Sequence, residues 1–233
     1  MNAVGVDGCK AGWVACWQEQ NVLQFRVFAK FEHIIQHITT AIIAVDMPIG
    51  LPDRVGPGGR GPEALIRPLL GPRKSSVFSI PSRKAVYAET YSNACTIAFE
   101  TSEPPRKISK QGFFLFPKIR EIDGLLQANI DLRNRIFETH PELIFRTIKN
   151  TPLDFAKKTA EGAHERTLLL QSYGLKIDAW PKIKGASQDD VIDAAACLVT
   201  AKHLATGKAT SFSTQPALDS HGIPIAIWAQ CRP

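Results

Sequence analysis

Ala41-Ile42-Ile43-Ala44-Val45-Asp46 is a continuous apolar, β-branched run that ends on an aspartate. A run with no polar break suits a strand covered on both faces, which belongs in the centre of a sheet. Met47-Pro48-Ile49-Gly50 follows, and there the chain must turn. Toward the N-terminus, Phe31, Ile34, Ile35 and Ile38 recur at helical spacing and predict an amphipathic helix. Before it lie three runs that read as strands. Ala3 to Asp7 closes on the turn signal Asp7-Gly8, Gly12 to Trp17 is rich in apolar and aromatic residues, and Val22 to Phe28 alternates. Their short connections favour an antiparallel meander.

Toward the C-terminus, residues 50 to 83 are dense in Pro and Gly, and Gly56 to Gly61 reads as a flexible loop. Ser82 to Glu100 and Gln111 to Asn129 read as helices, and Arg135 to Thr139 as a short strand. Pro141 suits the start of a helix running from Glu142 towards Ile148. Glu161 to Tyr173 is a further helix, stopped near Gly174. Asp189 to Ala205 carries acids in its first turn and Lys202 and His203 near its end, which complements the helix dipole. Ile223 to Trp228 reads as a terminal edge strand. The expectation is an α/β fold whose mixed sheet is a three-strand antiparallel meander followed by parallel strands. Helices flank the sheet, and a Pro/Gly-rich and helical insertion follows strand four. That is the element order of a ribonuclease H-like sheet. With no linker-like break in composition, residues 1–233 are expected to form one domain with an insertion over about 50–130.

The sequence is 44% hydrophobic and 21% charged, ordinary for a globular protein, and its net charge of +6 permits a polyanionic partner without demanding one. The cysteines (Cys9, Cys16, Cys95, Cys197 and Cys231) are odd in number and dispersed, with no C-x-x-C pair. That excludes a zinc ribbon or a redox motif and fits buried thiols in a reducing compartment. The N-terminus lacks a signal-peptide pattern, and no apolar run approaches the ~20 residues of a membrane span. A cytoplasmic location and no membrane partner are expected.

Asp7 and Asp46 each end an apolar strand with no Lys or Arg within two positions. A carboxylate at the end of a buried strand is costly unless it is paired, hydrogen-bonded or metal-bound. Ligands of open α/β sheets bind outside the carboxyl ends of strands. If strands one and four are neighbours, both aspartates project into one crevice. Asp190 and Asp193, three apart on one helix face, add two more carboxylates, with Asp189 as a rival in register to Asp190. Ala194, Ala195 and Ala196 let that helix approach the sheet closely. All-oxygen donors suit Mg²⁺ or Mn²⁺, and without cations such acids repel one another. Sites of this kind run two-metal phosphodiester hydrolysis, one ion activating water and the other stabilising the leaving oxygen. Taken singly, each acid has an ordinary structural reading as a turn, helix-start or solvated residue.

Five segments carry a family resemblance: Val4-Gly5-Val6-Asp7-Gly8-Cys9-Lys10-Ala11-Gly12-Trp13-Val14, Asp46-Met47-Pro48-Ile49-Gly50-Leu51-Pro52, Gly71-Pro72-Arg73-Lys74-Ser75-Ser76-Val77-Phe78, Glu138-Thr139-His140-Pro141-Glu142 and Asp189-Asp190-Val191-Ile192-Asp193-Ala194. Together they resemble a family of uncharacterised proteins regarded as predicted nucleases with a ribonuclease H-like fold. Within that superfamily the nearest analogues are Holliday-junction resolvases. These pair a first-strand aspartate, a fourth-strand acid (more often Glu than the Asp found here) and two helix acids three apart. The resemblance implies Asp7, Asp46, Asp190 and Asp193 as metal ligands and catalytic acids.

Glu138 is a candidate fifth ligand. Glu142 is a candidate catalytic acid, and a helix-start residue on the ordinary reading. His140, Lys10, Arg73, Lys74 and Ser75 are candidate substrate contacts. Arg73 to Ser75 fall in a run from Arg54 to Lys84 that holds seven basic residues against one acid, Glu63. A solvated basic loop is the plain alternative there.

The leading expectation is therefore a divalent-metal-dependent nuclease with nucleic acid as partner. One alternative is a binding module that keeps the fold and lacks the chemistry. Another is a metal-dependent phosphohydrolase of small phosphate esters. A sugar-kinase or actin-like ATPase ranks last, because it needs a second Asp-Gly phosphate loop beside Asp7-Gly8. His33 and His37 lack the Glu of H-E-x-x-H and read as surface residues.

Overall fold

In a computed structural model, which describes residues 3–215 and 217–230, the apolar run becomes strand β4 (Ile42–Val45) at the heart of a sheet. Ile43, Ala44 and Val45 are wholly buried, as a strand covered on both faces requires. The other strands are β1 (Ala3–Cys9), β2 (Gly12–Glu19), β3 (Val22–Phe28), β5 (Ile136–Thr139), β6 (Ala209–Phe212) and β7 (Ile227–Gln230). They form a seven-stranded mixed sheet in the order β3-β2-β1-β4-β5-β7-β6. β1, β2 and β3 pair antiparallel, whereas β1–β4 and β4–β5 pair parallel. The expected mixed α/β sheet is thus present, and its order is consistent with a ribonuclease H-like arrangement. The β2–β3 hairpin turns on Gln20 and Asn21, both at positive φ (49° and 65°), which matches the right-handed twist of the strands it joins.

The helices are α1 (Phe31–His37), α2 (Pro62–Ile66), α3 (Arg83–Val86), α4 (Tyr91–Glu100), α5 (Lys110–Ala128), α6 (Pro141–Lys149), α7 (Ala160–Ser172) and α8 (Gln188–Ala205). Among the described residues, no helix is long and apolar enough to cross a membrane. The chain divides into two compact units. One takes in the stretch to Met47, Arg135–Thr210 and the chain from Trp228 on. The other is Pro48–Asn134 with Ser211–Ile227, and the expected insertion falls within it.

In the first unit, alternation along β1 assigns two faces. Trp13, in register with Gly8, packs edge-on against Phe31 of α1, with ring centroids 5.1 Å apart. On the opposite face, α8 lies directly on Gly5. A Cβ there would fall 2.0 Å from the Leu198 nitrogen and 2.1 Å from the Ala194 oxygen, so only glycine admits the helix backbone. Val191 through Ala201 are all buried, and α6 and α7 pack outside α8. Cys9, Cys16 and Cys197 are buried thiols of this unit, and Cys95 is one of the second; Cys231 lies outside the described residues.

Three expectations on the elements need correction. The helix read over Ser82 to Glu100 is two helices. Ser82 caps α3 by accepting from the Ala85 amide, and Thr90 caps α4 by accepting from Asn93, so a second cap restarts the chain after Tyr87. The terminal strand begins at Ile227 and is interior, because β6 covers its outer side. Ala209-Thr210-Ser211-Phe212 has no apolar alternation to announce a strand.

The third correction concerns the basic run, which is neither loose nor wholly solvated. Arg60 is buried, 2.7 Å from Glu63, and it donates to the carbonyls of Ile49 and Gly50. Arg67 donates to the carbonyls of Gly58 and Val77. Asp123-Gly124, the other Asp-Gly pair, is helical within α5 and forms no phosphate loop.

Arg83 ties the second unit together. It pairs with Asp123 and, at 2.6 Å, with Asp219. Asp219 in turn accepts from the amides of Leu51, His221 and Ile223. Removing the cation leaves two buried carboxylates uncompensated, which typically costs about 3 kcal/mol or more. Arg83→Met is expected to lower the thermal midpoint by roughly 6–12 °C. A change within one degree in a melting experiment would remove this role.

Candidate functional site

The register of the parallel strands brings two aspartates together. Val6 partners Val45, and the Asp46 amide donates to the Val6 carbonyl at 3.0 Å. The next residues along the two strands are Asp7 and Asp46, on the same face as Gly5 and Ala44. That is the face α8 covers. Helix α8 starts at Ser187, whose hydroxyl accepts from the Asp190 amide while Asp190 accepts from the Ser187 amide at 2.8 Å. This capping box sets the helix in place one turn before Asp193. Asp193 is buried at 4% exposure, Asp7 is buried at 7%, and Asp46, Asp189 and Asp190 are half-buried.

These acids perturb one another strongly. Burial pushes the Asp7 carboxyl well above its ordinary range, and Asp46, Asp193 and Asp190 add to the effect. Asp46 is pushed up to about 7, by burial first and also by Glu142, with Lys157 opposing. Asp193 is pushed up to about 6 by burial, with Asp46 and Glu142 adding and Lys157 again opposing. The Cys197 thiol is pushed up by burial and then by Asp46, Asp7 and Asp193. A group of carboxylates so placed is short of positive charge.

Lys157 supplies part of it. Its ammonium lies 3.0 Å from Asp193 and 3.5 Å from Asp189. Desolvation works against that charge, but Asp193, Asp7 and Asp189 outweigh it and hold the ammonium above the usual lysine range. Sequence reading missed Lys157, although a signal exists. Lys157-Lys158 immediately precedes the positive end of α7, where the helix dipole disfavours cations. A local conflict of that kind marks residues placed for another purpose. Asp189 accepts from the Ser187 hydroxyl at 2.6 Å, and this bond and Lys157 hold its carboxyl below the ordinary range against the effect of burial.

The remaining candidates lie as follows. Glu142, in the first turn of α6, accepts from Arg166 at 2.6 Å, and its other oxygen is buried without a hydrogen-bond partner. Arg166, also missed, is 1% exposed. Glu138 is in register with Val45, so alternation turns it to the sheet face opposite Asp7 and Asp46. His140 is the half-buried N-cap residue of α6, and Lys10 is exposed in the β1–β2 turn. Arg73, half-buried, and Lys74 and Ser75, exposed, belong to a 3₁₀ segment of the second unit. The cluster is therefore built from first-unit residues: Asp7, Asp46, Asp190 and Asp193, with Lys157, Asp189 and Glu142 at its border.

Donor chemistry and charge fit a hard divalent cation: all-oxygen ligands, a surplus of buried negative charge and an unsatisfied Glu142 oxygen. Among the described residues, though, no three His, Cys, Asp or Glu side chains converge closely enough as they stand to hold an ion. Binding requires the carboxylates to draw together and Lys157 to give way.

The electrostatics set a pH dependence. A carboxyl whose folded pKa lies above its unfolded value binds protons more readily in the folded state. Asp46, moved from 3.8 to about 7, and Asp193, moved from 3.8 to about 6, therefore cost the metal-free fold stability progressively as pH rises from the ordinary carboxylate range, and the cost is complete above those raised values. Stability is expected to rise as pH falls from about 8 towards 4. Asp46→Asn is expected to add about 2 kcal/mol at pH 8, from roughly 1.4 kcal/mol per pKa unit discounted for solvent screening. The gain should vanish near pH 4. Melting curves of both proteins from pH 8 to 4 check this, and a pH-independent difference would contradict it.

A family model described as "Protein of unknown function (DUF429)" matches residues 5–217. No curated protein matches the chain. No solved structure matches it either.

Proposed function

Because the chain belongs to the family of unknown function DUF429, membership brings no activity with it, and we propose one from the site: a divalent-metal-dependent nuclease that hydrolyses phosphodiester bonds by a two-metal mechanism. The observation that carries this reading is the placement of Asp7 within β1 and Asp46 just past β4, on adjacent parallel strands and on the face covered by α8 with its Asp193, with all three carboxyls pushed up first by burial and then by neighbouring acids. Asp7, Asp46, Asp190 and Asp193 would hold Mg²⁺ or Mn²⁺. Bound there, such ions supply an activated water and charge stabilisation for the leaving oxygen. The protein's own part is to fix the carboxylates on rigid elements, a buried sheet and a capped helix. Lys157, once released from Asp193, would meet a phosphate oxygen. The net charge of +6 favours a polyanionic substrate.

Lys157 also favours a second reading. Its ion pairs with Asp189 and Asp193 partly neutralise the cluster without a metal, as a nucleic-acid-binding module of the same fold would need. Manganese titration separates the two. On the nuclease reading, Lys157→Met removes a competing cation and tightens Mn²⁺ binding several-fold. On the other, neither protein binds the ion.

The activity itself is tested on purified protein with Mg²⁺ or Mn²⁺ against single- and double-stranded DNA, RNA, hybrid and branched substrates. A small phosphodiester and a phosphomonoester are included. Metal-dependent cleavage of a polynucleotide supports a nuclease. Turnover of the small esters alone transfers the reading to a phosphohydrolase, and no turnover of any substrate rejects both.

A further inference from the structure

Beside Lys157 the first unit holds an open cleft of about 480 Å³. Its walls are the Lys157-Lys158 pair, the first two turns of α7, the start of α8 and the indole of Trp180. The volume lies within the range of small-ligand sites. Its lining is chemically mixed. Lys157 and Asp189 belong to both the cleft and the border of the acid cluster, so the cleft carries charge where it meets that cluster. Lys158, exposed next to Lys157, adds a second cation. Trp180 contributes an aromatic lining residue, and Ile192 and Ala163 line the same cleft.

Trp180 is held rigidly for a half-buried residue. Its indole N–H donates to the Thr167 hydroxyl at 2.8 Å, and its ring meets Phe25 edge-on with centroids 6.2 Å apart. A tryptophan fixed in orientation, partly open to solvent and next to two lysines, is the arrangement that stacks a nucleobase while cations hold its phosphate. An aliphatic or purely acidic ligand would leave either the lysines or the indole face unused.

We infer that this cleft is a nucleotide subsite, in which one unpaired base of the substrate lies on Trp180 and its phosphate faces Lys157 and Lys158. The inference rests on the proposed function, because it places this nucleotide next to the acid cluster where cleavage is proposed. It also narrows the substrate class. A base locked in a duplex presents no free face, so the chain should favour single strands, or the unpaired nucleotides of a branched or frayed site. Stacking of this kind is tolerant of sequence.

The test needs neither metal nor cleavage, so it separates this inference from the nuclease reading. In EDTA, the full chain is titrated with a fluorescein-labelled ten-nucleotide single-stranded DNA, its RNA counterpart and the matching duplex, by anisotropy. Tryptophan emission is followed with the unlabelled strands. The expected result is tighter binding of a single strand than of the duplex, with quenched emission. Trp180→Leu should weaken single-strand binding about 5- to 100-fold, and Trp180→Phe should retain most of it. Lys158→Ala, on the surface, should weaken binding and lower the salt dependence by about one phosphate contact. Single-strand binding unchanged in both Trp180→Leu and Lys158→Ala, or equal binding of duplex and single strand, overturns the subsite. If Trp180-dependent binding is found but no substrate is ever cut, the subsite stands and the nuclease reading falls.

Discussion

Asp7→Asn is expected to lower metal-dependent cleavage by at least about 10³-fold while making the metal-free protein more stable at pH 8. The two effects have one cause. Asp7 sits in the middle of β1, buried, on the face shared by Asp46 and Asp193, and its charge is opposed by burial and by its neighbours. Asparagine keeps the shape and can keep accepting from the Gly8 amide, a bond of 2.7 Å in the native chain. It removes the charge that a divalent ion would require. A metal ion contributes several kcal/mol of transition-state stabilisation, and about 4 kcal/mol corresponds to 10³ in rate. A residue whose loss destroys activity while raising the melting temperature serves function at the expense of the fold. If Asp7→Asn melts lower than the native chain at pH 8, the carboxylate is structural and the cluster is misread. Rates with Mg²⁺ or Mn²⁺, measured beside melting curves in EDTA, decide between these outcomes.

Gly5→Val is expected to abolish stable folding, or to cost more than about 5 kcal/mol. The estimate starts from the 1–3 kcal/mol that one extra methylene costs in a packed core. Here the first added carbon alone falls 2.0 Å from the Leu198 nitrogen and 2.1 Å from the Ala194 oxygen. Those are backbone atoms of a buried helix and cannot rotate away. Valine adds two further carbons beyond that clash. Even Gly5→Ala should force α8 off the sheet and carry Asp193 away from Asp7 and Asp46. For alanine the expected result is a melting temperature lowered by several degrees together with weakened Mn²⁺ binding. A Gly5→Ala protein that melts like the native chain would show that α8 does not lie on β1 as described.

These two positions also show what the amino-acid sequence discloses and what it conceals. The central strand announced itself by an unbroken apolar run, and α8 by its acids, alanines and closing lysine and histidine. Both are local signals, repeated at every turn or residue. Asp7 and Asp46 were legible because a lone charge on an apolar run stands out against its surroundings, although β1 continues past Asp7 to Cys9 rather than turning at Asp7-Gly8. The side of the sheet taken by Glu138 was not legible, because it depends on register, and a slip of one residue exchanges the faces. Strand β6 was not legible either, since four residues of mixed polarity at a sheet edge carry no period.

The ion pairs and hydrogen bonds of the basic run were not legible for a different reason. Arg60, Arg67 and Arg83 look like surface charge until their partners are known. Asp219, which Arg83 meets, lies 136 positions away in the chain. Lys157 was hidden in the same way: its partner Asp193 is 36 positions distant. Local patterns predict elements, whereas ion pairs across the fold decide which charges are structural.

The proposed nuclease activity depends on divalent-metal binding by the acid cluster. The most direct test is a calorimetric titration of the full chain with MnCl₂ at pH 7.5, run alongside Asp7→Asn and Asp193→Asn. The expected result is saturable binding by the native chain that is lost, or weakened at least about 10-fold, in both variants, each of which still melts cooperatively. No binding by the native chain, or equal binding by all three proteins, would contradict metal binding by the cluster.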